Sequence, residues 1–151
     1  MDNIVVVRIS GKQGLNKEIK DTFKLLRLYK KYTCVVVPNA PNYVGMIKKV
    51  KDFVTWGEIS KETLQKLIEE RGRLAGNTRL SDKKDINIPE FANQVFEGKK
   101  KMKDIPGLKP FFRLHPPVGG FENKGTKKPF SIGGVLGYRK EKINELIIKM
   151  I

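Results

Sequence analysis

Ile4-Val5-Val6-Val7-Arg8-Ile9 is a β-branched run closed by Ser10-Gly11. It reads as a strand buried on both faces along part of its length. Asn16 then predicts the cap of a helix reaching Leu28. Ile19, Phe23 and Leu26 recur at i, i+4, i+7 as its core stripe. Thr33 to Pro38 reads as a second strand, with Pro38 ending it. Pro41 opens a second helix, since proline fits a first helical position. Val44, Ile47 and Val50 give that helix its apolar stripe. Gly45 sits in its interior, at a cost of about 1 kcal/mol relative to alanine. It implies that something approaches the backbone closely there, either a neighbouring element or an RNA backbone.

Phe53-Val54-Thr55-Trp56 is the third expected strand, ended by Gly57. Ser60 caps a third helix through about Arg71, with Leu64, Leu67 and Ile68 inward and Gly72 as its stop. Residues 73–89 are polar and turn-rich, and Phe91, Val95 and Phe96 predict a short helix after Pro89. From Gly98 onward the composition shifts, with 8 of the 14 glycines and 5 of the 8 prolines. In that stretch only Phe111 to Leu114 reads as a strand and only Lys140 to Ile151 as a helix, with Ile143, Leu146, Ile147 and Met150 packing inward. The expected organisation is a β-α-β-α-β core over 1–59, a near-neutral helical insertion with a basic end over 60–110, and a Gly/Pro-rich basic extension over 111–151 whose final helix packs on the core. The class is α+β.

Charge changes the picture. The 151 residues hold 31 Lys+Arg against 16 Asp+Glu, a net +15. A merely soluble domain needs only about 2–8 net charges. Such an excess repels itself in the folded state and gains from an acidic partner, usually nucleic acid, where each phosphate contact releases a counterion. The first 60 residues carry 11 basic and 5 acidic side chains, residues 61–98 carry 7 of each, and the rest carry 13 and 4. The neutral middle is expected to face solvent or protein, and the basic ends polyanion. Lys17, Lys20, Lys24 and Arg27 form a second stripe on the first helix. Lys48, Lys49 and Lys51 load the end of the second, where they also complement its dipole. An ordinary solvated face accounts for either group alone; their repetition favours a binding face.

The stretch from Val37 to Val54, with Asn39-Ala40-Pro41-Asn42-Tyr43-Val44-Gly45-Met46 at its centre, resembles the signature of the large-subunit ribosomal protein thirty family, whose eukaryotic relative is numbered seven. Trp56-Gly57-Glu58 resembles the family's next element. Arg113-Leu114-His115-Pro116-Pro117-Val118-Gly119-Gly120 and Gly133-Gly134-Val135-Leu136-Gly137 resemble the archaeal long form. Residues 73–110 match least. The resemblance implies a ferredoxin-like core, two helices on one face of a three-stranded sheet of order 3-1-2. It also implies residence on large-subunit rRNA, with 5S rRNA as a candidate neighbour, among other ribosomal proteins in the cytoplasm. The family commonly carries Arg directly before the Gly-Met pair. Here Val44 stands there, so that contact is absent or supplied by neighbours such as Lys48.

No catalytic constellation accompanies this. His115 is the single histidine and Cys34 the single cysteine. Cys34 reads as a small core hydrophobe. His115, beside Pro116-Pro117, reads either as a polar or stacking contact with RNA or as turn packing. Gly11-Lys12-Gln13-Gly14 lacks the closing Gly-Lys-Ser/Thr of a P-loop. Glu69 and Glu70 lack a histidine partner. No cofactor, metal or small-molecule substrate is expected. No apolar run approaches the roughly 18 residues of a membrane span, and no signal peptide is visible, which favours an intracellular protein. The residues expected to bind RNA are Lys12, Lys17, Lys20, Lys24, Arg27, Met46, Lys48, Lys49, Lys51, Arg113, His115, Lys124, Lys127, Lys128, Arg139 and Lys140. Phe121, Phe130 and Tyr138 stand among them as bases' stacking partners or as packing. An RNA-processing or RNA-modifying enzyme and a DNA-compacting protein are the rival readings.

Overall fold

A computed structural model describes residues 3–10, 14–74, 87–99, 108–109, 111–120 and 128–151. Five strands and five α-helices follow in the order β1 (Asn3–Arg8), α1 (Lys17–Leu25), β2 (Thr33–Pro38), α2 (Pro41–Lys49), β3 (Val54–Glu58), α3 (Lys61–Arg71), α4 (Ile88–Phe96), β4 (Phe112–Arg113), β5 (Gly137–Tyr138) and α5 (Ile143–Met150). The sheet order is β4-β2-β1-β3-β5. β1 runs antiparallel to both β2 and β3, with Val5 opposite Val36 on one side and Gly57 on the other. The three core strands therefore have the expected 3-1-2 order, and the C-terminal part of the chain adds one short strand to each edge. β4 is antiparallel to β2, and β5 is parallel to β3. Edges only two residues long offer little template for pairing with another chain.

β1 is buried from Ile4 to Arg8 because both sheet faces are covered. Its side chains alternate between two cores, as the period of two requires. Ile4 and Val6 meet Phe23, Leu26 and Leu28 near α1, and Ile47 and Val50 from α2. Val5, Val7 and Ile9 meet Leu64, Leu67 and Ile68 of α3, Phe91 and Val95 of α4, and Ile143, Leu146, Ile147 and Met150 of α5. The helical stripes read from the sequence thus land on opposite faces of one sheet.

Several boundaries differ from expectation; the last helix, for one, begins at Ile143 and not at Lys140. β3 continues through Gly57 instead of stopping there, because the C-terminal segment crosses directly above it. A Cβ at residue 57 would overlap the Lys140 carbonyl oxygen and lie 2.9 Å from Ile143 Cγ2. α4 begins before Pro89, with Asn87 as its cap and proline in the first turn, where a missing N–H costs nothing. The strand β5 was not expected at all. Among the described residues no helix is long and apolar enough to cross a membrane.

Candidate nucleic-acid interface

The first basic surface grows from α1. The Asn16 side chain accepts the Ile19 N–H at 2.9 Å and fixes the start of the helix. Thr22 and Phe23 turn inward; Lys17, Lys20 and Lys24 are exposed on the other side. The helix ends at Leu25, not at Leu28. Leu28 must return to the core, and the chain reverses through Arg27 in the left-handed region at φ 63°. The Leu28 N–H then reaches the Phe23 carbonyl at 2.9 Å, and the Arg27 N–H the Lys24 carbonyl at 3.1 Å. This is a Schellman closure with Phe23 packed against Leu28. Arg27 is exposed but stands beyond the helix, so the helical stripe is three lysines long.

A cation that the charge pattern could not place holds that closure from beneath. Arg8 at the end of β1 is 8% exposed. Its Nη1 donates to the Leu28 carbonyl at 2.7 Å, and its guanidinium lies 4.0 Å from the Phe23 ring centroid. Burial pulls its pKa below the ordinary guanidinium value.

α2 lies beside α1 on the same face of the sheet. Ile47 and Val50 are buried, and Val44 and Met46 are half-buried against the shared core. Met46 is therefore engaged in packing, as is the Val44 that replaces the family's arginine. Lys48, Lys49 and Lys51 are exposed. Lys49 Nζ meets Glu18 of α1 at 3.4 Å, with both side chains largely in solvent. Such a pair contributes little stability. Among the described residues, Lys17, Lys20, Lys24, Lys48 and Lys51 make no ion pair. Like charges gathered with few counter-charges favour an anionic visitor over the empty surface.

Gly45 belongs to this face. It is exposed, and a Cβ there would meet nothing within 4 Å. No element of the described chain explains the glycine; the expected alternative is a partner's backbone. Gly45→Ala is expected to raise stability by about 1 kcal/mol, the helix-propensity difference, while weakening the capture of rRNA. Thermal melting and RNA titration of the same variant separate these two effects, and a gain in both would remove Gly45 from the contact surface.

A second basic site lies at the edge of the sheet. The end of α3, residues 108–109 and β4 enclose a cavity of about 220 Å³ lined by Arg71, Arg73, Lys109, Phe111, Arg113, Leu114 and His115. Backbone hydrogen bonds close its walls. The Lys109 N–H donates to the Arg73 carbonyl at 2.9 Å, the Leu114 N–H to Tyr32 at 3.1 Å and the His115 N–H to Met150 at 3.0 Å. Phe111 meets Tyr29 edge-on at 5.4 Å, which links the cavity to the segment after α1. Arg113 and His115 were expected at an interface and are exposed here. Arg71, Arg73 and Lys109 were not expected. The first two lie in a stretch whose acids cancel its bases on paper, yet among the described residues no acid lines the cavity.

Arg139 departs from the expectation. It is 3% exposed, donates from Nε to Thr55 Oγ1 and from Nη2 to the Val135 carbonyl, both at 2.9 Å, and lies 4.8 Å from the Phe130 centroid. It fastens the C-terminal segment to β3 and is not available to a phosphate. Lys128 and Lys140 are exposed. Phe130 is half-buried beneath Arg139 and Lys142, so cations already occupy its neighbourhood. Tyr138 stacks on Trp56 at 6.3 Å and bonds through its hydroxyl to Glu58. Lys12, Phe121, Lys124 and Lys127 lie outside the described residues. Cys34 is buried, and burial pushes its thiol pKa up, so it stays neutral and packs. Among the described residues no three His, Cys, Asp or Glu side chains gather where a metal ion would sit.

Comparison with known proteins identifies the family. Residues 4–54 match the family described as ribosomal protein L30p/L7e. The chain is 54% identical to the large ribosomal subunit protein uL30 of Methanococcus vannielii over 151 residues, covering 97% of each chain. It is 49% identical to that of Archaeoglobus fulgidus, covering 96% of this chain and 97% of the relative. It is 43% identical to that of Methanopyrus kandleri, covering 93% and 99%. Identity of this extent over nearly the full length of each relative shows that the chain belongs to the ribosomal protein L30p/L7e family.

Proposed function

We propose that this chain is a structural constituent of the large ribosomal subunit, where it binds and stabilises rRNA and supports subunit assembly. Like the family, it is a structural component and not an enzyme, and it works in the cytoplasm among other ribosomal proteins. The observation that carries the reading is the α1–α2 face, with five exposed lysines that have no acidic partner among the described residues. Lys and Arg recognise the RNA backbone through phosphate charge, without reading sequence. Lys49 joins when phosphate displaces Glu18. On the sequence resemblance, 5S rRNA is proposed among the contacts.

Titration against large-subunit rRNA fragments tests this. Six phosphate contacts, Lys49 included, predict a slope of log affinity against log salt of about −4.2 to −5.4. Binding that ignores salt, or that prefers duplex DNA to structured rRNA, would remove the reading. Parallel titration of 5S rRNA decides whether that molecule belongs among the partners.

A further inference from the structure

We propose that the cavity between the end of α3 and β4 receives one unpaired nucleotide of rRNA, its phosphate among Arg73, Lys109 and Arg113 and its base against the Arg113–Phe111 pair. The inference rests on the rRNA-binding reading above and assigns a second, different mode of contact.

Size argues first. At about 220 Å³ the cavity falls below the roughly 300–1,000 Å³ of sites that enclose a whole small ligand. It suits one unit of a polymer whose remainder lies outside. Charge argues second. Among the described residues the lining is cationic and carries no acid. The last turn of a helix normally repels an anion through its free carbonyls. Here Arg73 Nη1 donates to the Glu70 and Gly72 carbonyls at 3.2 Å each, which masks them. Dipole compensation would explain cations at the end of α3. It does not explain Lys109 and Arg113, which come from later segments to the same cavity.

The aromatic arrangement argues third. The Arg113 guanidinium lies 5.7 Å from the Phe111 centroid, and the Tyr29 edge holds that ring from another side at an interplanar angle of 82°. Unstacked RNA bases are recognised on aromatic rings and on guanidinium planes. A base within a duplex is already stacked and cannot enter. The cavity therefore distinguishes a bulge or loop from a stem, which the lysines of α1 and α2 cannot do.

The full-length protein, amide-labelled for NMR, can be titrated with a five-nucleotide single-stranded RNA and with an RNA stem of equal length. The single strand is expected to shift the amides of Arg73, Lys109, Leu114 and His115, and the stem only those of α1 and α2. The double variant K109E/R113E is expected to lose about tenfold in single-strand affinity and to stay within about twofold for the stem. Equal losses for both RNAs, unchanged single-strand affinity, or the same amide shifts with inorganic phosphate alone would overturn the assignment. Stem binding that persists while the cavity stays silent removes only the cavity; loss of stem binding in the unaltered protein removes the rRNA reading itself.

Discussion

Gly57→Ala is expected to lower the unfolding free energy by about 3 kcal/mol, the upper range for a forced steric insertion. In a domain of this size that lowers Tm by about 6–12 °C. Gly57 sits in β3 opposite Val5 of the central strand, and the turn at Lys140 passes over it. The added methyl would overlap the Lys140 carbonyl oxygen and approach Ile143 Cβ to 3.0 Å. A backbone oxygen cannot rotate aside as a flexible side chain would. Lys140 already stands in the left-handed region at φ 53°, so the turn has little slack. The segment around it is also pinned: the Arg139 N–H donates to the Trp56 carbonyl at 2.9 Å, and Asn144 accepts the Ser60 N–H at 2.9 Å while donating to the Glu58 carbonyl at 3.2 Å. Either those bonds break or the sheet bends beside β1. Equilibrium denaturation checks the prediction. A variant melting within about 2 °C of the parent would show that the crossing is looser than described.

Gly57 also shows what the sequence does and does not make legible. A glycine after a β-branched run reads as a stop, because nothing local shows that a segment more than 80 residues later lies on it. The elements with their own periodicity are a different case. The valines of β1, the caps Asn16 and Ser60 and the stripes of α3 and α5 each carry their signal within a dozen residues, and each appears where expected. β5 has two residues and therefore no period. The C-terminal boundary of α1 is hidden for another reason: left-handed closures usually carry glycine, and here the position is Arg27.

The interface divides along the same line. Lys17, Lys20 and Lys24 are legible because helical spacing places them together without tertiary information. Arg8 and Arg139 count as surface charge in any composition, yet the fold buries both to satisfy carbonyls that its own turns leave open. The cavity is the converse. Arg73 and Arg113 lie 40 positions apart, in segments of different charge balance, and the Leu74–Leu108 bridge together with the pairing of β4 and β2 brings them to one wall.

The double reversal K20E/K24E follows from that legible face. Both side chains are exposed on one side of α1 with no ion pair among the described residues, so their removal breaks no intramolecular contact. The new carboxylate at position 20 stands one turn from Lys17, while the one at position 24 faces Asp21, so these two helix-surface effects offset each other. The one nearer the C-terminus opposes the dipole by about 0.3–1 kcal/mol. The fold is therefore expected to lose no more than about 1 kcal/mol. Against rRNA the variant loses two phosphate contacts and gains two repulsions. The salt slope is expected to flatten by about two units, and affinity near physiological salt to fall by about tenfold or more. Titration over a salt series, paired with thermal melting, reads both quantities from one protein. If melting collapses, the lysines support the fold and the face is structural. If affinity falls but the slope holds, the loss comes from something other than phosphate charge, and the RNA must lie elsewhere on the molecule.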